Sequence, residues 1–374
     1  NIEMPKPRIA IIGASSSGLA SLKQCLADDL DPICFEQASY IGGLWNFIEI
    51  DNDKNKDPQP SAYKSLISNT SKEAITFSDF PIPAEWPTHL HNSLVINGLD
   101  IATELSHVAS QVYLCIRRVI QIGASIGTLP WILPRLYGGK PIDQLSNRFS
   151  AYFFPNSSLA SAKLVSQIAG PYSPSLQPTT PYYCSQICVK TDFFERLSSG
   201  TITVKKDISE LMSEETKSIK FFDGSIVENI DMIIYATGYN IDFLFLDKEI
   251  VNGGPKIEQE YKENLVWLYK IMFPPNYRNI TFIGLHQPNG AYFPVSEMQS
   301  HYVTSLIKGL VNPLPSSHDM NIVIRNYHEK IRRLLFLFIK DIKKVWFEDM
   351  ETCLFGIKTP IYVSLLEGVI LWFV

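Results

Sequence analysis

The chain has 374 residues, of which 45% are hydrophobic and 19% are charged, and its formal net charge is −5. This composition predicts a globular protein long enough for two packed units and excludes a disordered chain. The 33 basic and 38 acidic residues form no basic stripe and no block of like charge. We therefore expect no nucleic-acid partner.

The cysteines are scattered without a C-x-x-C pair or a paired-histidine spacing, which argues against a disulfide framework and against a zinc site. Two of them fall inside a predicted helix and a predicted strand. We expect reduced, buried thiols in a protein that faces the cytosol, and no metal. The six are Cys25, Cys34, Cys115, Cys184, Cys188 and Cys353.

The start of the chain has the pattern of a dinucleotide-binding strand, turn and helix. An apolar strand at residues 8–12 runs into a glycine-rich turn at 13–18, and a second strand at 32–35 ends at Glu36. In such a unit the helix N-terminus holds phosphates and the acidic residue accepts the ribose hydroxyls. Glu36 would repel a 2′-phosphate, so this site favours FAD or NAD over NADP. A glycine-rich turn without a ligand is the alternative.

The turn departs from the usual fingerprint at its middle position, where Ser15 replaces a glycine. A Cβ atom there is expected to crowd the closest phosphate contact and to disfavour a positive φ. We expect weakened binding as a result. The candidate phosphate-binding residues of the turn are Gly13, Ser15, Ser17 and Gly18.

The middle of the chain indicates a second, incomplete nucleotide unit. A helical pattern at 99–108 is followed by a strand at 111–116 and by Arg117 and Arg118. Strands with turns are predicted from 201 to 239, including a turn at 223–224 and a buried strand at 232–239 that ends near a glycine, as ligand-binding strands of open α/β sheets do. Residues 130–190 have no clear period.

Two late apolar segments are the only membrane candidates, and no signal peptide precedes the first strand. Residues 362–374 are too few to span a bilayer, which needs about 20 residues, and Glu367 interrupts them. Residues 331–340, with basic flanks, fit either a helix on a membrane surface or a helix that packs on the core.

In these segments the chain resembles the animal flavin-containing monooxygenases. The resemblance rests on the fingerprint with Glu36 and the Gly-Gly-Leu-Trp that ends at Trp45, on residues 63–83, on residues 236–239, and on 282–299. It implies an α/β fold of the FAD/NAD(P)-binding Rossmann-like type with two dinucleotide-binding domains, the second truncated. Residues 1–93 and 235–374 would form a discontinuous FAD-binding domain, and 94–234 the remnant of an NADPH-binding domain.

The chain departs from the family where Ser93 meets Leu94. Family members carry there a segment on the order of a hundred residues, the size of a small domain, with the second glycine-rich turn. Only Gly98, the last glycine of that turn, remains. An alternative transcript, a faulty gene model or a decayed gene would each produce this join.

The resemblance implies FAD and NADPH as cofactors and O2 and a small nucleophile as substrates. In the family, NADPH reduces FAD, and a C4a-hydroperoxyflavin formed with O2 oxygenates soft nitrogen or sulfur atoms. Asn69 matches the asparagine beside flavin C4a, and Arg117 is the candidate for the NADPH 2′-phosphate. The further cofactor-binding residues are Gly43, Leu44, Trp45, Thr70, Gly98, Thr237, Gly238, Glu297 and Gln299.

A second function class stays open, namely a catalytically silent remnant that binds FAD or a partner only. The expected location is the cytoplasm or the cytosolic face of the endoplasmic reticulum membrane, with peripheral membrane contact through the C-terminal region. The sequence indicates neither a particular substrate nor an oligomeric state.

Overall fold

The computed structural model describes residues 6–46, 72–87, 90, 98–115, 122–123, 188–189, 192–213, 216–236, 243, 245–252, 266–286, 292–340 and 369–373. The chain divides into two units. Unit 1 comprises Asn1–Val95, Tyr239–Lys340 and Pro360–Val374, and unit 2 comprises Ile96–Gly238 and Asp341–Thr359.

Unit 1 contains a four-stranded sheet in the order β10 (Ile280–Ile283), β11 (Val369–Phe373), β1 (Arg8–Ile12), β2 (Asp31–Phe35). Strand β1 (Arg8–Ile12) pairs in parallel with β2 (Asp31–Phe35), as the sequence predicts. Strand β11 (Val369–Phe373) pairs antiparallel with both β1 and β10 (Ile280–Ile283). It follows that β1, β2 and β10 run in the same direction, so their carboxyl ends lie at one edge of the sheet.

Part of the apolar C-terminal segment forms a strand of the unit 1 sheet, which was not predicted from the sequence. Residues 369–373, examined above only as a membrane candidate, form the strand between β1 and β10, with Ile9 opposite Phe373 and Ile280 opposite Trp372. The five residues of this strand are all apolar. Such a run cannot be distinguished by periodicity from a short membrane-binding segment.

Two parallel helices pack together in unit 1, and small hydroxyl residues line their contact. These are α1 (Ser16–Ala27) and α6 (Phe293–Ile307). The Ser17 and Ser296 hydroxyls are 3.0 Å apart, and one turn later the Ser21 and Ser300 hydroxyls are also 3.0 Å apart. Both helices therefore start at the same end, and the small side chains let their backbones approach closely.

The core of unit 1 lies between the sheet and these helices. Ile9 and Ile11 of β1 point into it, as do Cys25 of α1 and Val303 of α6, and all four are at most 1% exposed. Burial of apolar surface of this kind contributes about 25 cal/mol per Å² to folding. The remaining helices of the unit are α2 (Lys72–Ile75), α5 (Lys248–Asn252) and α7 (Ser317–Lys340).

Unit 2 contains the predicted second helix and strand. Helix α3 (Gly98–Leu105) leads to β3 (Val112–Cys115), which pairs in parallel with β6 (Ile202–Lys205). Helix α4 (Phe193–Ser198) precedes β6. The short β4 (Ile122–Gly123) and β5 (Cys188–Val189) pair in parallel, and β7 (Ile208–Ser213), β8 (Ser218–Phe221) and β9 (Ile226–Val227) form an antiparallel meander.

The prediction of a buried strand over 232–239 is wrong for its described part. Residues 231–236 form no strand and are exposed, with Met232 and Tyr235 each 72% accessible. High β-propensity describes how a side chain fits a half-buried pleated surface. The described residues of unit 2 provide neither a neighbouring strand nor a covering layer for this segment, so the propensity is not expressed.

The turn predicted at 223–224 is present, with Gly224 at φ +81° between β8 and β9.

Among the cysteines of the described residues, Cys25 is buried while Cys34 and Cys115 are partly exposed, and all three are free thiols. Within the described ranges no helix is both long and apolar enough to cross a membrane. Residues 130–187 lie outside the described chain.

Candidate cofactor site

The glycine-rich turn, Glu36 and the segment after β10 meet at the carboxyl edge of the unit 1 sheet. Gly13 follows β1 at φ +104°, Glu36 follows β2, and Gly284 follows β10 at φ +83°. Helices α1 and α6 both start near this edge. Open α/β sheets bind ligands beyond the carboxyl ends of their strands, and helix N-termini attract phosphate there.

Glu36 closes the glycine-rich turn. Its carboxylate accepts a hydrogen bond from the Ala14 N–H at 2.6 Å and another from the Ala38 N–H at 2.9 Å. The Gly13 N–H donates to the Phe35 carbonyl at 2.7 Å and ties the turn to β2. Each carboxylate oxygen has a second lone pair, which leaves acceptors for the hydroxyls of a ribose.

The backbone of Ser15 does not have the strained conformation that the sequence analysis expects. Its φ is −76°, so the position does not require the conformational freedom of glycine, and the expected backbone strain is absent. Its Cβ instead faces Gly43, which has φ +55°, and a Cβ added to Gly43 would lie 2.8 Å from it. The missing side chain at Gly43 therefore makes room for the side chain at Ser15.

The first turn of α1 contains no acidic residue. An anionic ligand bound there would interact favourably with the positive end of the helix dipole. Gly42, at φ +106°, donates its N–H to the Ala14 carbonyl at 2.9 Å and holds the following 3-10 turn Gly43–Trp45 against the glycine-rich turn.

Three aromatic rings meet at the start of α6. Trp45 contacts Phe293 edge to face with ring centroids 4.8 Å apart, and Phe77 stacks on Phe293 at 5.1 Å. Such pairs favour a fixed geometry beyond the area they bury. Residues from three distant parts of the chain are thereby fixed beside the edge of the sheet.

The segment after Phe77 is anchored by a carboxylate of α6. Glu297 accepts from the Ser78 N–H and hydroxyl, each at 2.9 Å, and from the Lys23 ammonium at 3.1 Å. Lys23 also pairs with Asp79. Burial alone would raise the pKa of Glu297, but the Ser78 and Lys23 donors hold it below its ordinary value. Glu297 is therefore a charged clamp between α1, α6 and the 78–79 segment.

Lys72, which ends the Asn-Thr-Ser-Lys motif, has a similar role. Its ammonium is buried and donates to the carbonyls of Pro83 at 3.0 Å and Ala84 at 2.6 Å, and also to that of Trp86. Buried charges of this kind are stable only when fully hydrogen-bonded. Lys72 thus fixes the course of the chain from 83 to 86.

Gln299 holds the segment that follows β10. Its side-chain oxygen accepts from the Gly284 N–H at 2.9 Å. Two residues later His286 lies against Tyr292, with ring centroids 6.0 Å apart. Burial lowers the pKa of His286 to about 4, against the opposing effect of the Gln299 carboxamide. His286 is therefore neutral at physiological pH.

Buried polar atoms at this edge test whether the site suits a cofactor. Among the described residues, three buried side-chain nitrogens have no hydrogen-bond partner: Nε1 of Trp45 and both ring nitrogens of His286. Buried polar atoms are almost always paired, and these three flank Tyr292 and Phe293 at the start of α6. A flat ligand with polar edges fits this set.

The structure thus brings together most of the candidate residues that it describes. Gly13, Ser15, Glu36, Gly43 and Trp45 form one group, and Ser17, Glu297 and Gln299 connect it to α6. Gly98 starts α3 in unit 2. Asn69, Thr70, Arg117, Thr237 and Gly238 lie outside the described residues.

Two contributors were not predicted from the sequence. His286 lies in a segment that carried the resemblance, but a lone histidine after a strand gives no signal of its own. Lys23 lies on α1 at a position that indicates only a solvated surface charge. Within the described ranges no group of three or more His, Cys, Asp or Glu residues is placed to hold a metal ion.

Comparison with known proteins places these features in a family. The family model described as "FMO-like: Flavin-binding monooxygenase-like" matches residues 6–98 and 93–367. Flavin-containing monooxygenase 5 of Oryctolagus cuniculus is 30% identical over 445 aligned positions, covering 88% of this chain and 78% of the relative. Dimethylaniline monooxygenase [N-oxide-forming] 2 of Macaca mulatta is 30% identical, covering 86% and 77%.

The alignment with the Oryctolagus cuniculus relative also contains positions that have no counterpart in this chain. The 445 aligned positions exceed the 374 residues of the chain by 71, so at least 71 positions of the relative have no counterpart here. The two family matches overlap at residues 93–98, which is where the sequence analysis places the join.

A solved structure, S-allyl-L-cysteine S-oxygenase from Allium sativum, has a TM-score of 0.49 at 17% identity, covering 88% of this chain and 82% of that one.

The family match covers nearly the whole chain, and the parallel strands with a glycine-rich turn at their carboxyl edge agree with the FAD/NAD(P)-binding Rossmann-like fold of that family. FAD is the cofactor that the family implies, and a mixed α/β architecture is the fold class. The chain belongs to the flavin-binding monooxygenase-like family.

Proposed function

We propose that this chain uses FAD, NADPH and O2 to oxygenate soft nitrogen or sulfur nucleophiles. The observation that carries the proposal is Glu36, which lies 2.6 Å from the Ala14 N–H in the glycine-rich turn. This arrangement joins the acid for the ribose to the helix end for the pyrophosphate. When bound, FAD supplies the chemistry of hydride acceptance and of O2 activation.

The residues of unit 1 would bind and orient the cofactor. The turn from Gly13 to Gly18 and the N-terminus of α1 would hold the pyrophosphate, and Glu36 the ribose. Trp45 would contact the ring system, and Asn69 and Thr70 would lie beside its reactive part, as the family resemblance implies. Glu297 acts as a positioning residue, because it fixes the 78–79 segment through hydrogen bonds.

The second unit would bind NADPH, although it is shorter than a complete NADPH-binding domain. Residues 94–234 are proposed as the remnant of the NADPH-binding domain, and residues 1–93 with 235–374 as the FAD-binding domain. Arg117 would bind the 2′-phosphate of NADPH. The glycine-rich turn that should lead into α3 is missing except for Gly98, so the NADPH pyrophosphate would lack the backbone N–H groups of that turn. Since hydride transfer requires the donor and acceptor to be held in near contact, reduction by NADPH is the step we expect to be impaired.

A second candidate is a protein that binds FAD but catalyses no oxygenation. Two observations favour it: the relatives' 71 or more additional positions, and the exposed apolar residues 232–235. Both indicate that unit 2 lacks part of its nucleotide-binding layer. The two candidates agree on FAD binding and differ on chemistry after reduction.

Separate measurement of reduction and oxygenation distinguishes these candidates. The FAD-loaded chain is mixed anaerobically with NADPH, and bleaching of the flavin absorbance is followed. In parallel, dithionite reduces the flavin, and the protein is then exposed to O2 with N,N-dimethylaniline. The proposal predicts slow bleaching by NADPH but formation of the N-oxide in the second experiment.

The results of these two experiments show which step, reduction or oxygenation, is impaired. Absence of N-oxide after chemical reduction, while free flavin reoxidises normally, would establish the silent FAD-binding protein. Fast, saturable bleaching that Arg117→Ala weakens would show that a working NADPH site survives the deletion. Failure of the chain to retain FAD in gel filtration would overturn both candidates.

The α7 segment at 331–340 supports a proposal about location. Its apolar run is flanked by Arg332, Arg333 and Lys340, and basic residues beside apolar ones favour anionic membrane surfaces. We place the protein in the cytoplasm or on the cytosolic face of the endoplasmic reticulum. Flotation with phosphatidylserine-containing vesicles, compared with vesicles of phosphatidylcholine alone, tests this contact.

A further inference from the structure

Both ring nitrogens of His286 are buried and make no hydrogen bond of ordinary geometry within the described residues, although the Gln299 carboxamide lies close enough to raise the pKa of the ring. Leaving a buried donor or acceptor unsatisfied costs stability, whereas an apolar group of the same shape does not. A histidine at this position is therefore a disadvantage for folding alone. A ligand that pairs with the ring would remove the disadvantage.

The surroundings of His286 define what kind of ligand that is. The residue follows β10 and the left-handed Gly284, at the edge of the sheet where Gly13 and Glu36 lie. Its ring is tilted by 33° against Tyr292, and the preceding Leu285 is only 5% exposed. The ring has the aromatic Tyr292 and the neutral Gln299 carboxamide beside it and no cationic side chain among the groups that shift its pKa, which suits a flat neutral ring more than a phosphate.

The protonation state of His286 also favours a neutral, flat ligand. Burial lowers the pKa of His286 to about 4, so the neutral ring offers one N–H donor and one nitrogen acceptor. A phosphate would instead require charged donors or a helix N-terminus. The polar edge of an isoalloxazine ring carries an N–H donor next to carbonyl acceptors, and it therefore complements a neutral imidazole.

We propose that His286 is a flavin-binding residue, one ring nitrogen of which hydrogen-bonds the polar edge of the isoalloxazine. The inference rests on the proposed binding of FAD in unit 1. Trp45 supports it independently, because its Nε1 is also buried and unpaired among the described residues, and Trp45 contacts Phe293 while His286 contacts the adjacent Tyr292. Two buried ring N–H groups thus lie beside the start of α6, one from the 3-10 turn Gly43–Trp45 and one from the segment after β10.

The test is the substitution His286→Phe, which keeps the ring shape and removes both nitrogens. His286→Leu is the second apolar variant, and His318→Phe, at an exposed position on α7, is the matched control. Three quantities are measured for each protein: the melting temperature of the FAD-free chain, the dissociation constant for FAD by flavin fluorescence, and the dissociation constant for ADP-ribose by calorimetry.

We expect opposite changes in stability and affinity. The FAD-free variant should melt at the same or a higher temperature than the unsubstituted chain, because unpaired polar atoms are gone. Its affinity for FAD should fall about 3- to 10-fold, as expected for one lost hydrogen bond, while its affinity for ADP-ribose stays unchanged. Glu36→Gln should weaken both ligands.

Other results would overturn the inference. A lower melting temperature in both apolar variants with unchanged FAD affinity would make His286 a structural residue whose nitrogens are paired by water. Equal losses for FAD and ADP-ribose would assign it to the phosphate side. If the unsubstituted chain binds neither ligand, the proposed function fails, which is distinguishable from failure of the His286 assignment alone.

Discussion

Ser15 and Gly43 are complementary across the glycine-rich turn: the first carries a Cβ where the family fingerprint has none, and the second lacks one directly opposite. A methyl group on Gly43 would lie 2.8 Å from the Ser15 Cβ. Gly43→Ala should therefore lower the free energy of unfolding by about 2–4 kcal/mol, because it combines a positive-φ strain with overpacking. Urea denaturation measures the loss.

A double-mutant cycle separates the two causes. Ser15→Gly in the Gly43→Ala background should recover the overpacking part, about 1–2 kcal/mol. Gly224→Ala is the matched control, since Gly224 has φ +81° and no atom within 4 Å of an added Cβ, so it reports strain alone. Additive effects of Ser15→Gly and Gly43→Ala would contradict the contact.

Glu297→Ala should destabilise unit 1 by about 1–3 kcal/mol, because it leaves the Ser78 N–H without its acceptor and removes one of the two carboxylates that pair with Lys23. Glu85→Ala, at an exposed position in the neighbouring segment, should change the stability by less than about 0.5 kcal/mol. Hydrogen exchange of the Ser78 amide gives a local measurement. An amide that exchanges at the same rate in both proteins would argue against the clamp.

Asp28 should make the stability of unit 1 depend on pH in the acidic range. The Thr304 hydroxyl, the Gln24 amide and the Lys308 ammonium donate to its carboxylate and lower its pKa to about 2. The unfolded pKa is about 3.9, so the contribution is complete above that value and is lost as the pH falls through 2. After allowance for solvent screening, it amounts to about 1 kcal/mol.

The Asp28→Asn variant is the control for this titration. It should be less stable than the unsubstituted chain at about pH 7, and the gap should narrow toward about pH 2. Urea denaturation across this range measures both curves. A gap that stays constant with pH would show that the hydrogen bonds, not the charge, stabilise the contact.

Met232→Lys should reduce self-association of the chain without changing its fold. Residues 232–235 are apolar and exposed, and exposed apolar segments with β-propensity promote aggregation. Light scattering during heating should show a later onset in the variant. The contrasting variant is Ile219→Lys, at a 6% exposed position of β8, which should unfold the meander. An unchanged onset in Met232→Lys would place the aggregating surface elsewhere.

The sequence predicted the parts of the fold that depend on local patterns. The strand at residues 8–12, helix α1 and the strand ending at Phe35 follow one another within 30 residues, and their apolar period and glycine-rich turn are sufficient to identify them. The Gly224 turn is likewise a local feature. For these elements, backbone preference and burial favour the same structure.

The sequence failed where a distant partner decides the structure. Residues 369–373 become a central strand only because β1 and β10 flank them, and residues 232–236 remain outside any sheet because no such neighbours are present in the described part of unit 2. The clamp formed by Glu297 joins residues from three segments. His286 was missed for the same reason, since its significance comes from nitrogens left without partners by the packing around it.

The position of β11 between β1 and β10 has a consequence for biosynthesis. At about 5–20 residues per second, a ribosome adds Phe373, the partner of Ile9, about 20–70 s after that isoleucine. Until then the first strand of the nascent chain can pair with β2 alone, and the backbone N–H and C=O groups of its other edge have no strand partner. The sheet that carries the turn after β1 is therefore completed only after residue 373 has been made.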